Sequence, residues 1–99
     1  MKRKHVYLDG NDIEDMDDFH REIAKLLNFP KHYGHNLDAM WDFLSDGLGM
    51  YTTLHWKNSN ISREKLSQFN GILKVFERNR KMDNDFELDE EERFDYILE

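Results

Sequence analysis

Residues 30–46, PKHYGHNLDAMWDFLSD, contain the pattern that decides the fold. Pro30 ends any preceding helix, because its ring blocks a helical hydrogen bond and restricts the residue before it. Asn36 is a favourable N-cap, so we predict a helix over residues 37–46 after a loop over residues 30–35. The apolar residues of this helix recur at helical spacing and are Leu37, Met40, Trp41 and Leu44. The helix should therefore bury one face, and we expect Trp41 to pack in the core.

The opposite face of this helix carries three aspartates in register. Asp38, Asp42 and Asp46 are four residues apart, so they are neighbours on one face, where like charges destabilise a helix. Ala39 and Ser45 place only small groups beside them. Four residues rise ~6 Å along a helix, which resembles the spacing of successive phosphates on an extended nucleic-acid strand. This face fits a cationic surface such as the phosphate subsites of a nuclease; the alternative is a solvated helix face.

Apolar and aromatic segments elsewhere predict three strands, over residues 4–8, 51–57 and 94–98. A helix is predicted over residues 15–28, because apolar residues recur there on one face.

A third helix is predicted to open at Ser62, and a fourth to end near Arg80, with a break between them at Asn70-Gly71. The order β-α-α-β-α-α-β favours an α/β fold with parallel strands joined by helical crossovers. A chain of 99 residues is long enough for one core and too short for two.

The charge of the chain is uneven, and its net value is −7. Residues 1–80 have equal numbers of acidic and basic side chains, so residues 81–99 account for the excess. An acidic insert at about residues 83–93 is predicted to be a loop, or a hairpin in which Phe86 and Leu88 start a short strand. We expect its run from Glu87 to Glu92 to be solvated. An acidic chain is a poor nucleic-acid binder and a plausible partner for a basic protein.

The sequence contains no cysteine, which excludes disulfides, thiolate metal sites and cysteine nucleophiles. No segment approaches the ~18 apolar residues of a membrane span, and no apolar signal-peptide region follows the basic N-terminus. We therefore expect a cytoplasmic protein that does not contact a membrane.

Residues 28–44 resemble the signature of the barstar family, the intracellular inhibitors of the ribonuclease barnase. The matching positions are Pro30, Tyr33, Gly34, Asn36, Leu37, Asp38, Ala39, Trp41, Asp42 and Leu44. Weaker similarity is found at residues 8–10, 54–56 and 75–76. The resemblance implies one barstar-like domain over residues 1–99, in which a three-stranded parallel sheet packs with about four helices. It also implies that the chain is not an enzyme and needs no cofactor.

The resemblance further implies that the acidic helix and its preceding loop, residues 30–46, block the active site of a basic ribonuclease. The residue matching Asp42 enters the phosphate-binding centre, and the one matching Asp38 meets the guanine-recognition side. The implied partner-binding residues are His32, Tyr33, Gly34, His35, Asn36, Asp38, Ala39, Asp42, Ser45 and Asp46. The chain departs from the family pattern at His32, Gly47 and Arg78, which indicates a related but different partner or weaker binding to barnase itself. We expect a monomer; the alternative function is an interaction module that binds another basic protein without inhibiting a nuclease.

Histidines provide two further patterns with simpler explanations. His32-x-x-His35 with Asp38 has the spacing of metal ligands, but no fourth ligand is evident, so the favoured explanation is two loop histidines at an interface rim. His20 and His55 are isolated in the sequence and are expected at the surface or the edge of the core. Ribonuclease activity of the chain itself is not expected, because three carboxylates would repel RNA.

Overall fold

The computed structural model describes residues 2–99 and has seven regular elements. They are β1 (Lys4–Asp9), α1 (Met16–Leu27), α2 (Leu37–Ser45), β2 (Thr52–Lys57), α3 (Ser59–Lys65), α4 (Phe69–Asp85) and β3 (Phe94–Leu98). Single 3₁₀ turns occupy Gly10–Asp12 and Glu90–Glu92. The predicted fold class is confirmed, because the three strands form one parallel sheet and four helices accompany it. No helix in the described part of the chain is long and apolar enough to cross a membrane.

The sheet has the order β1-β2-β3, with α1 and α2 in the first crossover and α3 and α4 in the second. Val6 lies opposite Leu54, which lies opposite Tyr96 on the other side. Strand residues alternate between the two faces, so one face carries the buried side chains of the sheet. The opposite face includes Tyr7 and Ile97, both of which are exposed.

Trp56 lies at the centre of the core and is fully buried. Its ring stacks on Phe19 of α1 at 5.3 Å between centroids and contacts Phe69 of α4 at 5.1 Å. Its indole nitrogen donates a hydrogen bond of 3.0 Å to the hydroxyl of Ser62 on α3. A buried tryptophan needs a partner for its N–H group, and Ser62 meets that need. One side chain of β2 therefore joins three of the helices.

The predicted boundary between the last two helices is wrong. The break falls at residues 66–68, where Leu66 is extended, and Gly71 lies within α4. A β-carbon on Gly71 would lie 2.7 Å from Leu37 of α2, so the glycine serves close helix packing and does not end a helix. The start of α3 is also earlier than predicted, at Ser59.

The region predicted as an acidic loop or hairpin is partly helical. α4 continues to Asp85, beyond the predicted end near Arg80, because Phe76, Asn79 and Asp83 bury one face of its second half. Residues 86–93 contain a 3₁₀ turn and no strand, so the hairpin alternative is wrong.

Candidate functional site

The acidic helix α2 is fixed at both its beginning and its buried face. The side chain of Asn36 accepts a hydrogen bond of 2.8 Å from the backbone N–H of Ala39, which confirms the predicted cap. Met40 and Leu44 are buried, and the helix packs against α4. The cap and the buried apolar stripe stabilise a short helix, whose stability in isolation would be marginal. The outer face of α2 is therefore presented on a rigid support.

Asp38, Asp42 and Asp46 are all exposed on the face of α2 away from the core. None of the three carboxylates has a basic side chain within 4.0 Å among residues 2–99. The ion pairs among residues 2–99 all use acidic groups other than these three aspartates. The aspartate face, defined here by these three residues, therefore carries three carboxylates without internal counterions.

The loop before α2 is anchored from beneath by Tyr33, which is 6% exposed. The Tyr33 hydroxyl is 2.6 Å from Nδ1 of His20 on α1, and its ring contacts Phe29 and Phe43. Burial raises the pKa of the Tyr33 phenol and keeps it protonated at neutral pH. The structure thus places Tyr33 under the loop, where its side chain supports the loop and does not reach the surface.

His35 ties the same loop to α1 from the outside. Its Nδ1 is 2.7 Å from a carboxylate oxygen of Asp17, which also pairs with Arg21. The hydrogen bond from His35 is the main cause that lowers the pKa of the Asp17 carboxyl, with Arg21 adding to it. The backbone N–H of Asn36 donates to the carbonyl of Gly34 and tightens the turn into the helix.

The remaining predicted site residues lie around the aspartate face. His32 is exposed, with its ring edge against Phe43 at 5.7 Å between centroids. Ala39 and Ser45 are half-buried, and the Ser45 hydroxyl donates a hydrogen bond to the carbonyl of Asp42. Nine of the ten predicted residues therefore reach the surface of the loop and α2. Seven of the ten are exposed, Ala39 and Ser45 are half-buried, and Tyr33 is buried.

The metal alternative is not supported. No three histidine, aspartate or glutamate side chains within residues 2–99 are placed to hold one ion. The two loop histidines contact different partners, Phe43 for His32 and Asp17 for His35.

The expectation that His20 lies at the surface or the edge of the core is wrong, and both His20 and His55 have close partners in the structure. His20 is fully buried against Tyr33 and stacks on His35 at 5.9 Å. His55 lies 2.6 Å from Glu99 and 2.9 Å from His5 on the exposed face of the sheet. These contacts join residues 13 to 50 positions apart, which no local pattern contains.

Sequence reasoning missed the contact between α2 and α4 at the edge of the site. Trp41 is only half-buried, and the guanidinium of Arg78 lies 4.0 Å from its ring centroid, so the prediction of a core tryptophan is wrong. A guanidinium over an indole is a cation–π contact, which favours this arrangement at the surface. The guanidinium of Arg78 therefore joins α4 to α2 at Trp41.

The comparisons with known proteins agree with this geometry. The family model described as "Barstar (barnase inhibitor)" matches residues 3–98. The chain is also 33% identical over 75 residues to a protein of Bacillus subtilis (strain 168) named "Putative ribonuclease inhibitor YrdF". That match covers 75% of this chain and 82% of the relative. The chain belongs to the barstar family.

Proposed function

We propose that the protein inhibits a basic ribonuclease by placing the aspartate face in its active site. The observation that carries this proposal is the set of three exposed carboxylates on a capped helix, none with a basic partner nearby. The membership of the chain in the barstar family of barnase inhibitors and the name of the Bacillus relative support the same role.

The mechanism is competition with the RNA phosphates. A ribonuclease gathers cationic groups where charge develops on the phosphate, and a carboxylate can occupy the same positions. Asp42 lies between Asp38 and Asp46 on the helix, so it is the one that reaches the centre of such a cleft. Because α2 is already rigid, little conformational entropy is lost when the complex forms. The protein acts by occlusion and performs no chemistry.

Long-range charge assists the encounter. The net charge is −7, and the acidic residues after position 80 add to the field of the aspartate face. Opposite fields raise the association rate, and salt reduces this effect because exposed charges are screened over about 8–10 Å. We propose that the inhibitor works as a monomer in the cytoplasm, where it protects the cell from the nuclease.

The test is a titration of purified barnase with this protein and with three variants, followed by RNA cleavage. We expect stoichiometric loss of activity, which Asp42→Ala weakens by at least about a hundredfold because the cations of the nuclease lose their partner. Asp46→Ala at the end of the helix should weaken inhibition modestly. Glu64→Ala, which removes an exposed carboxylate from α3, is the matched control and should inhibit like the unchanged protein.

Two results would contradict the mechanism. One is equal weakening by Asp42→Ala and Asp46→Ala, which would mean that no single carboxylate is central. The other is full inhibition by Asp42→Ala. If barnase is not inhibited, the same titration with related basic ribonucleases decides whether the target or the function differs.

A second candidate function is an interaction module that binds a basic protein without inhibiting a nuclease. The specific observation in its favour is Arg78, which puts a positive charge on α2 at Trp41. A partner that meets both Arg78 and the aspartate face needs an acidic or neutral site opposite Arg78, besides its basic centre. Binding of a basic partner whose activity remains unchanged would favour this candidate.

A further inference from the structure

A cavity of about 450 Å³ opens at the C-terminal end of α2, next to Asp46. We call it the α4 pocket, since the second half of α4 forms its longest wall. Its apolar lining residues are Leu44, Met50, Met82, Phe86, Leu88 and Phe94. A cavity of this size with mostly apolar walls is typical of sites that bury a side chain or small molecule.

Two polar side chains of α4 also line the pocket, and both are more than nine-tenths buried. Asn79 is 2% exposed and Asp83 is 5% exposed. The amide nitrogen of Asn79 lies 3.5 Å from a carboxylate oxygen of Asp83, a long contact that turns the NH₂ group toward the carboxylate. The amide oxygen of Asn79 has no hydrogen-bond partner among the described residues. An unpaired buried acceptor is costly, so native proteins rarely leave one without a reason.

The ionisable residues that line the α4 pocket are both acidic. Asp46 and Asp83 line it, and no lysine, arginine or histidine does so. Burial raises the pKa of the Asp83 carboxyl, while the charge of Arg93 opposes that rise. The pocket lining therefore includes a buried carboxylate and an unpaired amide acceptor but no basic residue, and the guanidinium of nearby Arg93 donates instead to the carbonyl of Leu88 and to Asn84.

We propose that the α4 pocket receives an arginine side chain of the partner ribonuclease. The aliphatic stem of the arginine would lie against Met50 and Met82, and its N–H groups would donate to Asp83 and to the free amide oxygen of Asn79. Guanidinium fits this site because it is weakly hydrated and presents several donors in a plane. An anion is excluded by the two carboxylates, and an apolar side chain would leave both acceptors unpaired.

This inference rests on the proposed function and extends it. The pocket mouth adjoins Asp46, so an arginine could enter while Asp38 and Asp42 occupy the active site. Asp46 would attract the guanidinium as it approaches the entrance. The binding surface would reach from the loop before α2 to the second half of α4, and the pocket would select nucleases with a basic side chain at that position.

The first experiment uses the free protein and no nuclease. N-acetylarginine N-methylamide is titrated into labelled protein, and the side-chain amide resonances of Asn79 are followed by NMR. We expect a saturable shift at millimolar probe, and none with the uncharged citrulline analogue. Asp83→Asn should weaken binding of the arginine probe at least tenfold. Asp85→Asn, which changes an exposed carboxylate on the same helix outside the α4 pocket, should leave the affinity for the probe unchanged.

The second experiment measures inhibition of barnase by Asp83→Asn and Asn79→Leu. Asn79→Leu keeps the branched arrangement of side-chain heavy atoms and removes the unpaired oxygen, so it carries the test if Asp83→Asn does not fold. We expect each to weaken inhibition at least tenfold through faster dissociation.

The outcomes separate the two proposals. If Asp42→Ala abolishes inhibition while both pocket variants inhibit fully, the proposed function stands and the α4 pocket inference is overturned. If the arginine probe saturates the pocket but no ribonuclease is inhibited, the proposed function fails and the pocket keeps its preference for guanidinium. Equal shifts with the arginine and citrulline probes would also overturn the inference, because the carboxylate would then have no role.

Discussion

Lowering the pH from 7 to 5 should destabilise this protein through one buried histidine. His20 is 1% exposed on α1, where its ring stacks on His35 and its Nδ1 meets the Tyr33 hydroxyl. Burial, aided by the nearby charge of His35 and opposed by Asp17, lowers the pKa of His20 from 6.5 to about 4. The folded state therefore resists a proton that the unfolded chain accepts below pH 6.5.

The sign and size of the effect follow from this difference in pKa. Because the unfolded state binds the proton more readily, the free energy of unfolding falls as the pH drops through 6.5 and stops falling below about 4. A shift of one pKa unit corresponds to about 1.4 kcal/mol, so the full effect is about 3 kcal/mol. Between pH 7 and pH 5 the expected loss is about 2 kcal/mol.

Urea unfolding at both pH values measures this loss, with the fluorescence of the two tryptophans, Trp41 and Trp56, as the reporter. His20→Asn keeps a hydrogen-bonding group near Tyr33 and cannot titrate, so it should lose about 2 kcal/mol less between pH 7 and pH 5. His32→Asn removes an exposed histidine from the loop and should keep the pH dependence of the unchanged protein. If His20→Asn shows the same pH dependence as the unchanged protein, the assignment of the effect to His20 is refuted.

Three further substitutions test local contacts of the fold and of the loop before α2, each by urea unfolding at neutral pH. Gly10→Ala should cost about 3 kcal/mol, because its β-carbon would lie 2.3 Å from the carbonyl oxygen of Asn58, a backbone atom; a loss below about 0.5 kcal/mol would mean that the turn relaxes freely. Asn36→Ala should lower the free energy of unfolding by about 1 kcal/mol, because it removes the cap of α2, whereas Asn36→Ser should keep most of that free energy. An equal loss in both variants would argue against capping. Tyr33→Phe should cost about 1–3 kcal/mol, since it leaves the buried Nδ1 of His20 without its partner. Unchanged stability would show that the hydroxyl contributes nothing.

The acidic helix was predictable because its determinants are local. The cap at Asn36 and the apolar stripe lie within ten residues of one another, and the structure has the helix at Leu37–Ser45. The exposure of the three aspartates follows from the same periodicity. Strand positions were likewise visible, since β-branched and aromatic residues cluster where the strands lie.

The errors arose where a residue depends on a distant partner. Asn70-Gly71 has the composition of a helix break, but Gly71 is needed for the approach of Leu37, which is 34 positions away. Trp41 fits the apolar stripe, yet Arg78 of α4 holds it at the surface. The α4 pocket was not predictable at all, because α2, the residues before β2, α4 and β3 each supply part of its wall.

The parallel sheet also has a consequence for how the chain folds. Lys4 pairs with Thr52, 48 positions later, and Thr52 pairs with Phe94, 42 positions after that. No hairpin is available to start the sheet, and closing each crossover costs roughly 3 kcal/mol of loop entropy before any strand contact forms. Such long-range pairing slows folding relative to helical proteins. Because α2 lies inside the first crossover, we expect its acidic face to be fixed in the same slow step that brings β1 to β2.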